Sequence, residues 1–168
     1  MTTSTPETIR RPASPPSAGV TCYARSVHYS SATDEWAAPQ AFFDEQDARW
    51  HFTLDVCATP DNAKCARHYT KASDGLSQSW AGERCWMNPP YGRAIGHWMR
   101  KAYEESRGGA LVVCLVPART DTAWWHDYAA KGEVRLLRGR LKFGDGKKSA
   151  PFPSALVVFK AHNERGQR

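Results

Sequence analysis

Long hydrophobic runs are missing from this 168-residue sequence: none approaches the roughly 18 residues needed to cross a bilayer. The apolar core of a secretory leader is missing too. Both absences point to a cytoplasmic protein. Internal repeats are absent, so no repeat architecture is expected. The cysteines, Cys22, Cys57, Cys65, Cys85 and Cys114, are odd in number, and three lie in or beside apolar runs. Buried reduced thiols are expected rather than a disulfide framework. Cys57, Cys65, His68 and Cys85 lack short C-x2-C and H-x3-H spacings, so no metal site is expected. No Ser-His-Asp or Cys-His arrangement is legible, and His97 and His126 read as surface or packing residues. No glycine falls between Gly19 and Gly75.

What is present suits one folded domain. Hydrophobic residues make up 41% and aromatic residues 11%, enough for a real core at this length. The net charge of +6 and pI near 9.2 fit a polyanionic partner, nucleic acid foremost. Seven tryptophans serve first as core and second as stacking platforms.

Residues 1–28, rich in Ser, Thr and Pro, hold no periodic apolar pattern and read as a disordered tail. In that tail Arg10 and Arg11 could touch phosphates. Residues 29–161 form the expected domain, and 162–168 a polar tail. "PQAFFDEQDARW" predicts a helix opened by Pro39. "HFTLDVCA" predicts a strand ending at Asp55. Residues 59–80 are irregular, with a short helix expected near "DNAKCARHY". "RCWMN" predicts a buried strand. "AIGHWMRKAYEESRGG" carries Ile95, Trp98, Met99, Ala102 and Tyr103 at helical spacing, with Gly108 as a stop. "ALVVCLV" reads as a central parallel strand. "RTDTAWWHDYAAKG" predicts a helix capped by Thr120 or Asp121 and ended by Gly132. "EVRLL" and "ALVVF" are further strands around a basic loop, "RGRLKFGDGKKSAPFPS". The alternation predicts an α/β fold, a mainly parallel sheet with helices on both faces. In such folds ligands gather at strand carboxyl ends, where Asp55, Asn88 and Pro117-Ala118-Arg119 are expected.

The sharpest motif is "MNPPYG". Proline donates no backbone hydrogen bond and keeps the preceding residue extended. Asn88-Pro89-Pro90 therefore makes a stiff exit from a strand. The carbonyls of Asn88 and Pro89, with the Asn88 side-chain oxygen, form rigid acceptors suited to an amine. Tyr91 offers a flat face for a planar ring. Acceptors gripping both hydrogens of an aromatic amine draw its nitrogen toward tetrahedral geometry. Its lone pair then points at an electrophile, which is stabilisation arranged for the transition state. The alternative is a rigid strand-to-helix connection.

"NPPY" resembles the [DNS]PP[YFW] motif of S-adenosylmethionine-dependent amino-methyltransferases. "EWAAP", "FTLDVCATPDNAKC", "SDGLSQSW", "CWMNPPYG", "LVVCLVPARTDTAWW" and "RGRLKF", in this order, resemble the phage and prophage DNA N6-adenine methyltransferases, the phage Dam-type family. The resemblance covers residues 34 to 160. It implies a compact Rossmann-like methyltransferase fold without a separate target-recognition domain. Asn88 and Pro89 would hold the N6 amine, with Pro90 stiffening the motif, and Tyr91 would stack on a flipped adenine. Asp55 would stand near the methionine part of the cofactor and Asp74 near its adenosine. Trp36 and Pro39 would cover the cofactor. One departure concerns the glycine-rich turn usual after the first strand. Asp55-Val-Cys-Ala stands in its place, with Ala58 the smallest residue available.

Bland alternatives stand beside these roles: Asp55 as a helix cap, Asp74 before Gly75 as a turn, Trp36 as core. Of the adjacent Trp124 and Trp125, one is expected in the core, leaving Trp124 to pack on DNA. Arg119 and Thr120 are candidate phosphate contacts. Arg138, Arg140 and Lys142, with Lys147 and Lys148, form either a DNA-contacting loop or a solvated one. The expected activity is site-specific adenine-N6 methylation of DNA in a bacterial host, with S-adenosylmethionine as cofactor and DNA as partner. Protein partners are left open. The alternatives are the same transfer to RNA adenine, cytosine N4 or protein glutamine, or an inert DNA-binding module.

Overall fold

The computed structural model describes residues 35–144, 146–147 and 149–162. The expected tails, Arg10, Arg11, Cys22 and Lys148 lie outside these, apart from His162 at the start of the C-terminal one. In chain order the elements are α1 (Gln40–Trp50), β1 (Leu54–Asp55), β2 (Arg84–Met87), α2 (Ile95–Arg107) and β3 (Leu111–Pro117). Then come α3 (Ala123–Asp127), a 3-10 turn (Ala129–Lys131), β4 (Glu133–Leu136) and β5 (Ser154–Phe159).

The five strands form one sheet in the order β1-β2-β3-β5-β4. β1, β2 and β3 run parallel. β5 is antiparallel to both β3 and β4. The sheet is therefore mixed, with four strands sharing one direction and β5 reversed between two of them. The expectation of a mainly parallel sheet missed that insertion. β4 follows a helical crossover and keeps the direction of β3. The described residues between β4 and β5 include no helix to carry the chain over the sheet, and β5 returns antiparallel beside β4.

Register shows that the two long helices lie on opposite faces. Cys85, Val112 and Phe159 are cross-strand partners, and Tyr103 of α2 meets Phe159 edge-on at 6.0 Å. Trp86, one residue along and hence on the other face, meets Phe43 of α1 at 5.4 Å and Phe52 at 5.4 Å. β3 lies between these layers with Val112 through Val116 fully buried. Its unbroken apolar run follows from having both faces covered. Each such side chain contributes about 1.5–3 kcal/mol of burial.

The helix expected near residues 61–69 is absent; turns and bends take its place. Polar side chains there bind the backbone instead: Thr59 N–H donates to Asn62 Oδ1 at 2.7 Å and Lys64 N–H to Asp55 Oδ2 at 3.0 Å. Such local bonds compete with helix formation. α3 starts later than expected, with Thr122 rather than Thr120 or Asp121 at its N-cap position. The Thr122 hydroxyl donates to Arg119 O at 2.7 Å and caps nothing. Gly132 does end the 3-10 turn, where a Cβ would press on the Phe159 ring at 2.9 Å. Among the described residues no helix is long and apolar enough to cross a membrane.

Candidate active site

The carboxyl ends of β1 and β2 open into a cleft of about 550 Å³, within the usual range for small-molecule sites. Of the expected residues, Trp36, Ala58, Asp74, Asn88, Pro89 and Pro90 line it. Glu35, Thr59, Asn62, Thr70, Lys71 and Trp98 line it as well. None of these six was expected at a site, and Trp98 was named only for the apolar face of its helix. The only hint of most of them was polar composition in two irregular stretches.

Asn88 is held at both ends. Its Nδ2 donates to Trp36 O at 2.6 Å, and the Tyr91 hydroxyl donates to its Oδ1 at 2.8 Å. The same hydroxyl lies 3.2 Å from Leu115 O of β3. Pro89 is buried and Pro90 half-buried behind this exit. Tyr91 does not face the cleft. It is only 2% exposed, edge-on to Phe143 at 6.0 Å and Phe152 at 5.5 Å. Burial pushes its phenol well above the ordinary range, so it stays protonated. Arg119 Nη1 donates to Tyr91 O at 3.0 Å, bracing the motif from the loop after β3.

Asp55 is buried behind the cleft wall. Its Oδ1 accepts Cys57 N–H at 3.2 Å and its Oδ2 accepts Lys64 N–H at 3.0 Å. It therefore ties down the loop that supplies Ala58, Thr59 and Asn62. Burial raises its carboxyl, and the two backbone donors oppose the rise. Gly75 comes from another segment into close approach with the backbone just after β1. A Cβ there would lie 2.1 Å from Val56 O. Asp74 adopts φ 47°, a left-handed conformation that Asp tolerates. Its carbonyl accepts Ser77 N–H at 2.9 Å, so it is both turn and cleft wall. Pro39 sits at the N-cap position of α1 and does not line the cleft; its carbonyl accepts Phe43 N–H at 3.1 Å.

A strap at residues 35–38 joins the cleft to the basic loop. Trp36 is edge-on to Phe143 at 5.5 Å and to Phe152 at 5.0 Å. Gly144 N–H donates to Ala37 O at 2.9 Å. Phe143 and Phe152 are buried, and they anchor a loop on which Arg138, Arg140 and Lys142 are exposed. Neither phenylalanine was singled out in the sequence. Thr120 is exposed, Trp124 is half-buried, and Trp125 is the core member of that pair. Burial, followed by the nearby Asp55 carboxylate, raises the Cys57 thiol well above its usual value, and a bond from the Asn88 backbone partly offsets this. Among the described residues no group of three or more His, Cys, Asp or Glu is placed to hold a metal ion.

A family model described as DNA N-6-adenine-methyltransferase (Dam) matches residues 25–165. The chain is similar to the DNA N-6-adenine-methyltransferase of Haemophilus phage HP1 (strain HP1c1), 30% identical over 138 residues. That match covers 77% of this chain and 80% of the phage protein. It is also similar to the DNA N-6-adenine-methyltransferase of Escherichia phage T1, 29% identical over 94 residues. Here the match covers 55% of this chain and 39% of the relative. With a mixed α/β sheet, a cleft at its strand ends and an Asn-Pro-Pro-Tyr exit clamped beside that cleft, the chain belongs to the DNA N-6-adenine-methyltransferase (Dam) family.

Proposed function

We propose that this chain methylates adenine N6 in DNA from S-adenosylmethionine, at the Asn88-Pro89-Pro90 edge of the cleft. The fold that carries the reaction is read as Rossmann-like, in a single domain over residues 29–161. The observation that carries the reading is the clamped Asn88 amide beside a cofactor-sized cleft. Family membership supplies the reaction class.

The cleft fits the cofactor chemically. Asp74 and Glu35 offer carboxylates for hydroxyl or ammonium groups, Lys71 a cation for a carboxylate, and Trp36 and Trp98 flat apolar walls. Ala58 adds little bulk to the wall beside β1, and Gly75 packs behind it against Val56 O. When bound, S-adenosylmethionine supplies a sulfonium-activated methyl group.

The protein's own part is orientation. Adenine must leave the duplex, since its N6 cannot be reached within the stack. Asn88 Oδ1 has a second lone pair, and the Pro89 carbonyl is not used by a following helix turn. Both accept from the amine, and both bonds strengthen as its nitrogen becomes cationic. Proton loss follows attack, so no strong base is required. The stiff Pro89-Pro90 backbone holds the acceptors before the base arrives, which removes much of the entropic barrier. Arg138, Arg140, Lys142 and Thr120 contact phosphates, and Trp124 packs against DNA, in this reading. Arg119, anchored on Tyr91 O, retains further N–H donors for a phosphate. A bacterial cytoplasm, where phage or prophage DNA is replicated, goes with it.

The test is transfer of labelled methyl from S-adenosylmethionine to DNA, RNA and protein offered separately, with calorimetry of cofactor binding. DNA is expected to gain N6-methyladenine. Label on RNA, on cytosine N4 or on glutamine alone would overturn the substrate, and absence of cofactor binding would overturn the enzyme.

A further inference from the structure

A second concavity, of about 290 Å³, lies at the opposite end of the sheet from the cleft. Among the described residues it shares no lining side chain with that cleft. Arg107 ends α2, Lys131 ends the 3-10 turn, Glu133 opens β4, and Lys160 and His162 follow β5. Basic side chains from three separate segments therefore converge on one hollow. Tyr103 gathers two of them. Arg107 Nη1 donates to its hydroxyl at 3.3 Å, and the Lys131 ammonium lies 4.9 Å from the centre of its ring. That ring is seated edge-on against Phe159 at 6.0 Å. The bond from Arg107 is the main cause that lowers the Tyr103 phenol; burial opposes it, and the charges of Arg107 and Lys131 add to it. The carboxylate of Glu133 is divided between Arg135 and Lys160, the latter at 3.1 Å. The dipole of α2 accounts for Arg107 in its last turn. It does not account for Lys131 and Lys160, which arrive from other elements. Ser106 O, a carbonyl at this helix end that would repel an anion, is already engaged. It accepts Gly109 N–H at 3.2 Å and His162 N–H at 2.9 Å.

We infer that this hollow is a binding site for a phosphate group, separate from the methyl-transfer cleft. Among the described residues, Arg107, Lys131 and Lys160 face a single carboxylate there. The excess of positive charge matches a phosphate monoester, which carries about −1.5 to −2 charges at pH 7. Like charges gathered in a concave site repel one another, and a bound dianion relieves that repulsion. A guanidinium presents N–H pairs that match phosphate oxygens, and two ammonium groups add rotatable donors. The hollow admits a compact phosphate, free or at the end of a nucleic-acid strand, and is too small to seat a duplex. Because it shares no wall with the cleft, its occupation does not compete with the methyl donor. The inference does not depend on the proposed methyl transfer.

Two-dimensional nuclear magnetic resonance of the full chain reads the site. Inorganic phosphate is titrated at constant ionic strength, with sodium chloride making up the balance. The amides of Arg107, Lys131, Gly132, Glu133 and Lys160 should shift together and saturate, with a Kd on the order of 1 mM or tighter. Lys131→Gln should weaken binding about three- to fivefold, and Glu133→Gln should tighten it by a similar factor. Both side chains are exposed, so both variants should melt within about 2 °C of wild type. Shifts that never saturate in the wild type would overturn the inference, as would unchanged affinity in both variants. A 5′-phosphorylated oligonucleotide and its unphosphorylated twin identify the source of the phosphate. Shifts from the phosphorylated strand alone would assign the site to strand ends. Shifts from inorganic phosphate and from neither strand would assign it to free phosphate. Either result upholds the site. Shifts from both strands, with none from inorganic phosphate, would overturn it.

Discussion

Gly75→Ala should damage both the fold and the cofactor site. The added Cβ would stand 2.1 Å from Val56 O, more than an ångström inside ordinary contact, and 3.3 Å from both Trp98 and Tyr69. The contact is with backbone at the end of the sheet, so no flexible tip can yield. Nor can the 74–77 turn retreat freely, because the buried Trp80 indole donates to Gly75 O at 2.9 Å. Overpacking of this kind costs ~1–3 kcal/mol, and stranding the indole donor adds ~1–3 kcal/mol. A loss near 4 kcal/mol lowers Tm by roughly 10–15 °C in a chain of this size. The turn also carries Asp74, which lines the cleft. Thermal melts with and without S-adenosylmethionine, followed by calorimetry, read both effects. The expected result is a lower Tm and cofactor affinity reduced more than tenfold, a loss of over ~1.4 kcal/mol. A variant that melts within about 2 °C of wild type, a shift worth under ~1 kcal/mol, and binds cofactor normally would refute the close approach.

Asp55→Asn replaces one of two acceptors by a donor, which must face either Cys57 N–H or Lys64 N–H. Calorimetry should show weakened cofactor binding, and melting a loss of ~2–3 kcal/mol, as expected when bonds to a buried charge are broken. The raised Cys57 thiol should alkylate more slowly than free cysteine at pH 8, since a raised value leaves less thiolate at every pH below it. Mass spectrometry of the Cys57 peptide reads that rate. Arg140→Ala with Lys142→Ala should weaken DNA binding across sequences and flatten its salt dependence by about 1.8 in log–log slope, if both meet phosphates. Fluorescence anisotropy from low to moderate salt measures the slope.

Much of this was legible because local pattern and tertiary role coincide. The apolar run of β3 has to be central, and the spacing of Ile95, Trp98, Met99 and Ala102 has to face a core. Asn88 falls at the end of a buried strand because proline cannot continue one. What stayed hidden depends on contacts across long stretches of chain. Tyr91 is covered by Phe143 and Phe152, which arrive from a loop far downstream in the chain. Asp55, expected near the methionine part of the cofactor, also holds a loop through Lys64 N–H, a contact that spacing does not show. Gly75 approaches the backbone just after β1 at Val56, a contact that no spacing rule announces. The direction of β5 depended on a loop with no periodic pattern to show how it crosses the sheet.

The account centres on Asn88 as the acceptor of the adenine amine. Base-resolved detection of N6-methyladenine, in DNA from cells expressing wild type or Asn88→Ala, tests it most directly, with cofactor affinity measured on both proteins. The wild type should mark adenines at a defined sequence. Asn88→Ala should bind S-adenosylmethionine normally yet lose about a hundredfold or more of the methylation, the scale expected for a lost transition-state contact. Equal methylation by both proteins would contradict the account.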